Sequence, residues 1–230
     1  VRERTLVPSA GVEVVNGAWC CAGLDLATDD PAAACELGLV SVDWHWVGRS
    51  RRVRLALPGR WRSRPVPRGA MRAAAASVAH NAWGMLPWFG AVAALLLCGL
   101  VPDIAALAGV GWGLGLFLLS VLVHEAGHVV AFRVVGGPKA AGFLVSRGMR
   151  SHLVRPRLSR RADLTIIVAG PLSPLLAVGV LWPVVFASPV LFVVWCVLAL
   201  SHALTLLVPV GDGANARDAL RTPASAPRPT

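Results

Sequence analysis

The chain has 230 residues, enough for one domain or two small ones, and its 56% hydrophobic content with positive mean hydropathy excludes an ordinary soluble globule. Its formal charge is +10, from 22 basic residues of which only Lys139 is a lysine, so nucleic-acid binding is the first function class to weigh. Position argues against nucleic acid as a partner. The arginines flank apolar stretches, where attraction to anionic lipid headgroups accounts for them.

Residues 1–48 carry two arginines against seven acids. Short β-branched runs at 12–15 and 39–42, with the turn-like Asp29-Asp30-Pro31, predict a small α+β module. Some fifty residues bury only a marginal core, so the module is expected to dock on the rest of the chain or on a cytosolic partner. Cys20, Cys21, Cys35 and His45 contain no Cys-x-x-Cys pair, and reduced thiols are expected there rather than a zinc site. Residues 49–72 hold nine arginines and no acid, a juxtamembrane segment that completes an N-terminal region over 1–72.

Residues 83–101 are free of charge and, at about 1.5 Å per residue, long enough to cross a hydrocarbon core of roughly 30 Å. Further spans are predicted over 112–135, 162–185 and 190–208. Cys98 and Cys196 lie inside these stretches and read as small hydrophobes. The connection 136–161 holds Lys139 and six arginines with no acid, whereas 102–111 and 187–189 hold no basic residue. That asymmetry places the basic loop and both termini in the cytoplasm of a multi-pass cell-membrane protein. The expected fold class is an all-α membrane protein of about four transmembrane helices with the small cytosolic module in front. The membrane domain covers 83–213, and the proline-containing tail 214–230 is expected to be disordered. The bias to arginine, alanine and valine is that of a GC-rich bacterial genome.

The second span contains His124-Glu125-Ala126-Gly127-His128. The four-residue offset puts both imidazoles on one helix face, a turn apart, able to share a metal ion, with Glu125 beside them. Ionisable side chains inside a membrane helix cost roughly 2.5–3.5 kcal/mol each on the gentler insertion scale, and metal binding supplies a compensating role. Zinc suits such nitrogen ligands, and a catalytic zinc generally takes three protein ligands and leaves a position for water. The acids after the first span are Asp103, Glu125, Asp163, Asp212 and Asp218. Asp212 is the best third ligand, because Pro209, Gly211 and Gly213 let the chain leave helix and aim its carboxylate inward. A helix-terminating Asp-Gly turn is the plainer reading of the same residues. Asp212 also begins too shallow to meet His124 unless 209–213 dips inward or the fourth span ends earlier.

With these motifs the segment 112–215 resembles the site-2 protease family, the intramembrane zinc metalloproteases of peptidase family M50. The matching residues are His124, Glu125 and His128, then Ala169-Gly170-Pro171, then Asp212-Gly213. The resemblance implies a zinc ion on His124, His128 and Asp212, Glu125 as catalytic base, and a membrane-spanning or membrane-associated peptide as substrate. Two positions depart from the family pattern. Pro174 stands where an asparagine is usual, and the segment from Ser201-His202 to Pro209 is a loose counterpart of the family's Asn-Leu-x-Pro. His202 is either a replacement donor to the developing oxyanion or a packing residue. Pro171 and Pro174 are expected to break the third span. The rival classes are a catalytically inactive family member serving as scaffold or transport partner, and a metal transporter, for which the spans lack further acids.

Overall fold

The computed structural model describes residues 13–15, 18–21, 26–28 and 62–221, apart from positions 139, 141, 148, 156, 157, 184, 185, 187 and 210. Near the N-terminus, β1 (Glu13–Val15), β2 (Ala18–Cys21) and β3 (Leu26–Thr28) form an antiparallel meander. The predicted run at 39–42, the helical part of the module and the Cys35 and His45 positions lie outside the described residues.

Among the described residues the chain continues with helices α1 (Ala70–Gly84), α2 (Leu86–Leu100), α3 (Ala105–Val135), α4 (Arg160–Leu181), α5 (Pro189–Leu204) and α6 (Asp212–Arg221). Among the described residues three helical segments are long and apolar enough to cross a membrane: α3, α4, and α5 together with its 3-10 extension Thr205–Leu207. The bent pair α1 and α2 makes a fourth if it is one span. The structure is consistent with a multi-pass membrane protein.

The predicted first span at 83–101 is not one straight helix. The chain turns by 72° between α1 and α2. Met85 sits at the corner, in the bridge region of backbone space at φ −93° and ψ 5°, and Pro87 follows with no N–H to continue the α1 ladder. Polarity in α1 is inverted relative to a soluble helix. Its buried face carries Ser77, His80 and Asn81, while Met71, Val78 and Trp83 are exposed, as expected of a helix whose surroundings are apolar.

The arginine-rich connection is not a plain loop. β5 (Phe143–Arg147) and β6 (Arg150–Val154) form a hairpin, and β4 (Arg62–Pro65), from the juxtamembrane segment, pairs antiparallel with β5, Arg64 opposite Leu144. This sheet is stitched to the helices at two depths. Arg133, buried near the end of α3, donates to the carbonyls of Val66, Pro67, Gly137 and Ala140, which ties β4's exit to the α3 terminus. Further in, Ser146 of β5 meets His80 of α1, with Oγ and Nε2 2.9 Å apart. Leu144 joins Val66, Ala73, Val129, Phe132 and Ile166 in a core shared by sheet, α1, α3 and α4.

The third span is continuous over Arg160–Leu181 despite Pro171 and Pro174, contrary to the expected break. Pro174 has no N–H for the carbonyl of Gly170, and the Ser173 hydroxyl takes its place: Oγ lies 2.7 Å from the Gly170 oxygen and 2.8 Å from the Val123 oxygen on α3. The tail also differs from expectation, since 212–221 is helical. Alanines at 214, 216 and 219 favour helix, Asp212 suits the positive end of its dipole and Arg221 the negative end; the prolines begin only at Pro223.

Candidate metal centre

His124 and His128 project from the same face of α3, and their rings meet edge-on with centroids 4.9 Å apart. Asp212 opens α6. Helix α5 ends at Leu204, four residues before the nominal end of the fourth span, and the 3-10 turn Thr205–Leu207 and extended Val208 carry the chain back. Gly211, at φ +55°, then directs Asp212 inward, which resolves the depth problem posed by the sequence. Gly213 is held to glycine by close approach: a Cβ there would lie 1.9 Å from the Val208 carbonyl oxygen. Arg217 donates to the Leu207 carbonyl at 2.7 Å and fastens α6 to the turn.

The carboxylate of Asp212 meets both rings. Oδ2 lies 3.1 Å from His124 Nε2 and Oδ1 lies 3.4 Å from His128 Nε2, while the two Nε2 atoms are 3.2 Å apart. The His128 tautomer follows from its other side, where Nδ1 is 2.7 Å from the Ile166 carbonyl of α4; a carbonyl only accepts, so the proton is on Nδ1 and the Nε2 lone pair faces the cluster. Gly170 makes room for this ring, since a Cβ at that position would lie 2.1 Å from His128 Nε2. The Gly-Pro motif therefore acts on the metal helix by steric permission.

With both rings neutral, at most one proton, on His124 Nε2, is left to share among the His128 lone pair and the two carboxylate oxygens, and a cation between them would satisfy all of these at once. The separations also suit one: in a tetrahedral site with metal–nitrogen distances of about 2.0–2.1 Å, neighbouring ligand atoms stand about 3.3 Å apart. His124, His128 and Asp212 could thus hold a metal ion, and they are the one such group of histidine, cysteine and acidic side chains among the described residues.

The remaining sequence candidates fall outside the cluster. Glu125 follows His124 on α3, partly exposed, and acts electrostatically on His128 without joining the three ligands. Asp163 is paired with Arg155 and accepts from the Leu158 amide at 3.2 Å, which fixes the entry to α4. Asp103 lies in the turn between α2 and α3. Pro174 is fully buried, and its carbonyl accepts from Trp195 Nε1 at 3.1 Å, so this position serves packing. His202 lies against His124, ring centroids 4.8 Å apart, and its Nε2 is 3.1 Å from Ser120 Oγ. Missed by the sequence reading were Ser120, Ile166 as an acceptor and Ser173. The one available signal was the i, i+4 spacing of Ser120 and His124.

No family model, curated protein or solved structure matches the chain.

Proposed function

We propose that this protein is an intramembrane zinc metalloprotease that hydrolyses peptide bonds of membrane-spanning or membrane-associated polypeptides. The observation that carries the reading is the convergence of His124, His128 and Asp212 from α3 and α6, with the Glu125 carboxylate next to the ligands but free of them. His124, His128 and Asp212 would hold the ion. Zinc bound there would supply a Lewis acid that acidifies a water molecule and polarises a peptide carbonyl. Glu125 accepts the proton of the attacking water on its carboxylate and delivers it to the nitrogen of the leaving amine. Ile166 holds the His128 ring by its Nδ1–H, and the apolar helices around the site restrict bulk water.

The location at helices suited to a membrane favours a substrate that enters laterally and unwinds to expose its backbone. The charge asymmetry supports an orientation with both termini and the arginine-rich loop in the cytoplasm. The second reading, an inactive family member serving as a membrane scaffold, has Pro174 in its favour. Zinc content measured together with cleavage of a single-span reporter separates them. The Glu125→Gln protein should retain wild-type zinc and lose cleavage; zinc-dependent cleavage surviving in that variant sinks the protease assignment. Zinc bound by a wild-type protein that cleaves no single-span reporter favours the scaffold.

A further inference from the structure

Two histidine nitrogens at the edge of the metal centre have complementary hydrogen-bonding needs that neither meets elsewhere. His124 is nine-tenths buried, its Nε2 faces Asp212, and its Nδ1 is buried with no partner. A ring that ligates through Nε2 carries its proton on Nδ1, and such a donor is ordinarily given an acceptor. His202 of α5 is in ring contact with His124, centroids 4.8 Å apart and tilted by 42°.

The protonation of His202 follows from Ser120, one turn before His124 on α3. Ser120 Oγ–H is directed at the Phe117 carbonyl at 2.7 Å, so at 3.1 Å its oxygen can only accept from His202 Nε2. The neutral His202 ring therefore carries its proton on Nε2 and a lone pair on Nδ1. This polarity excludes the oxyanion-donor role for His202 Nδ1. His202 also stands outside the group of ligand atoms that lie within 4.8 Å of one another, so it is no fourth ligand in this arrangement.

We propose that His202 is a positioning residue for the metal site: its Nδ1 accepts the Nδ1–H of His124 when His124 Nε2 is a ligand. The bond requires the touching rings to turn so that the two Nδ1 atoms face each other. The chain of bonds then runs in one direction, from His124 through His202 and Ser120 to the Phe117 carbonyl, and it joins α3 to α5 beside the ion. Every donor in it has one acceptor. This inference rests on the metal reading above, and it gives His124 the outer partner that Ile166 gives His128.

Zinc affinity of the full-length protein in detergent, measured by competition with a chromophoric chelator, tests it alongside the visible spectrum of the Co²⁺-loaded form. His202→Leu should weaken zinc binding about 10–100-fold and shift the cobalt bands. His202→Gln, whose amide can donate to Ser120 and accept from His124, should recover most of the loss. Wild-type affinity and spectrum in His202→Leu overturn the proposal. So does equal weakening in the Leu and Gln variants, which would mark a packing role. If His202→Leu does not fold, Ser120→Ala decides: it keeps the ring in place but removes the group that orients it, and unchanged affinity and spectrum overturn the proposal. A wild-type protein that takes up neither zinc nor cobalt fails the metal reading itself, a different outcome from any of these.

Discussion

Among the described residues histidine is buried in two places, and the two differ in what surrounds the ring. His80 of α1 sits with Ser77, Asn81 and Ser146, where Nε2 meets a hydroxyl at 2.9 Å and the Asn81 amide reaches Ser77 at 3.5 Å. Donors there can meet acceptors, and the result pins a β-hairpin to a helix. At His124 and His128, acceptors outnumber donors when the rings are neutral: two Nε2 atoms and both oxygens of Asp212 crowd within 3.1–3.4 Å with at most one proton to share. Burial and hydrogen-bonding distance are alike in the two clusters. Polarity separates them, and polarity decides which cluster asks for a cation.

The largest expected effect tests this contrast directly. His128→Ala or Asp212→Ala should abolish stoichiometric zinc, whereas His80→Ala should keep zinc and lose about 1–3 kcal/mol of stability through its unpaired neighbours. Elemental analysis beside thermal unfolding reads both; zinc lost in His80→Ala and kept in Asp212→Ala would reverse the assignment. Next comes Gly170→Ala, which drives a methyl group into the His128 ring and should lower zinc affinity at least about tenfold, the scale seen when a ligand's orientation is disturbed. Gly179→Ala, with nothing near its added carbon, is the matched control and should bind zinc normally.

Stability rather than metal is the readout for Arg133→Met. Four backbone carbonyls lose their shared donor, and about 3 kcal/mol of destabilisation should follow with zinc affinity nearly unchanged. The smallest effect is expected from Ser173→Ala, about 1 kcal/mol, because the hydroxyl has a single hydrogen to give and one neutral hydrogen bond is lost.

Several of these features could be read from the sequence and several could not. His124 and His128 were legible because helical periodicity alone puts positions four apart on one face. Asp212 was legible by elimination among few acids, while its depth was not, since that depends on where α5 stops and on the return through Val208 and Gly211. The hairpin over 143–154 was hidden by the many basic residues in its loop, and β4 pairs with it across about eighty residues of intervening chain, which no local pattern encodes. The prolines of α4 misled for a related reason. Pro174 alone predicts a break, but Ser173 repairs the ladder through a rotamer that the sequence does not display. The corner at Met85 is marked by Gly84 and Pro87, which an uninterrupted apolar run made easy to read as one span.

That corner leaves α2 with 15 residues, about 22 Å at the usual helical rise, beside α3 with 31. A hydrocarbon layer of roughly 30 Å does not match the shorter helix, and the mismatch is relieved by thinning of the lipid or by tilt. If the bent pair is one span, headgroups and water would therefore stand closer to the mid-plane on the flank where α1 and α2 meet than elsewhere around the protein. The hydrolytic centre proposed above would consume one water per bond cut, and a short helix is a way to bring solvent near it without opening a channel through the bundle.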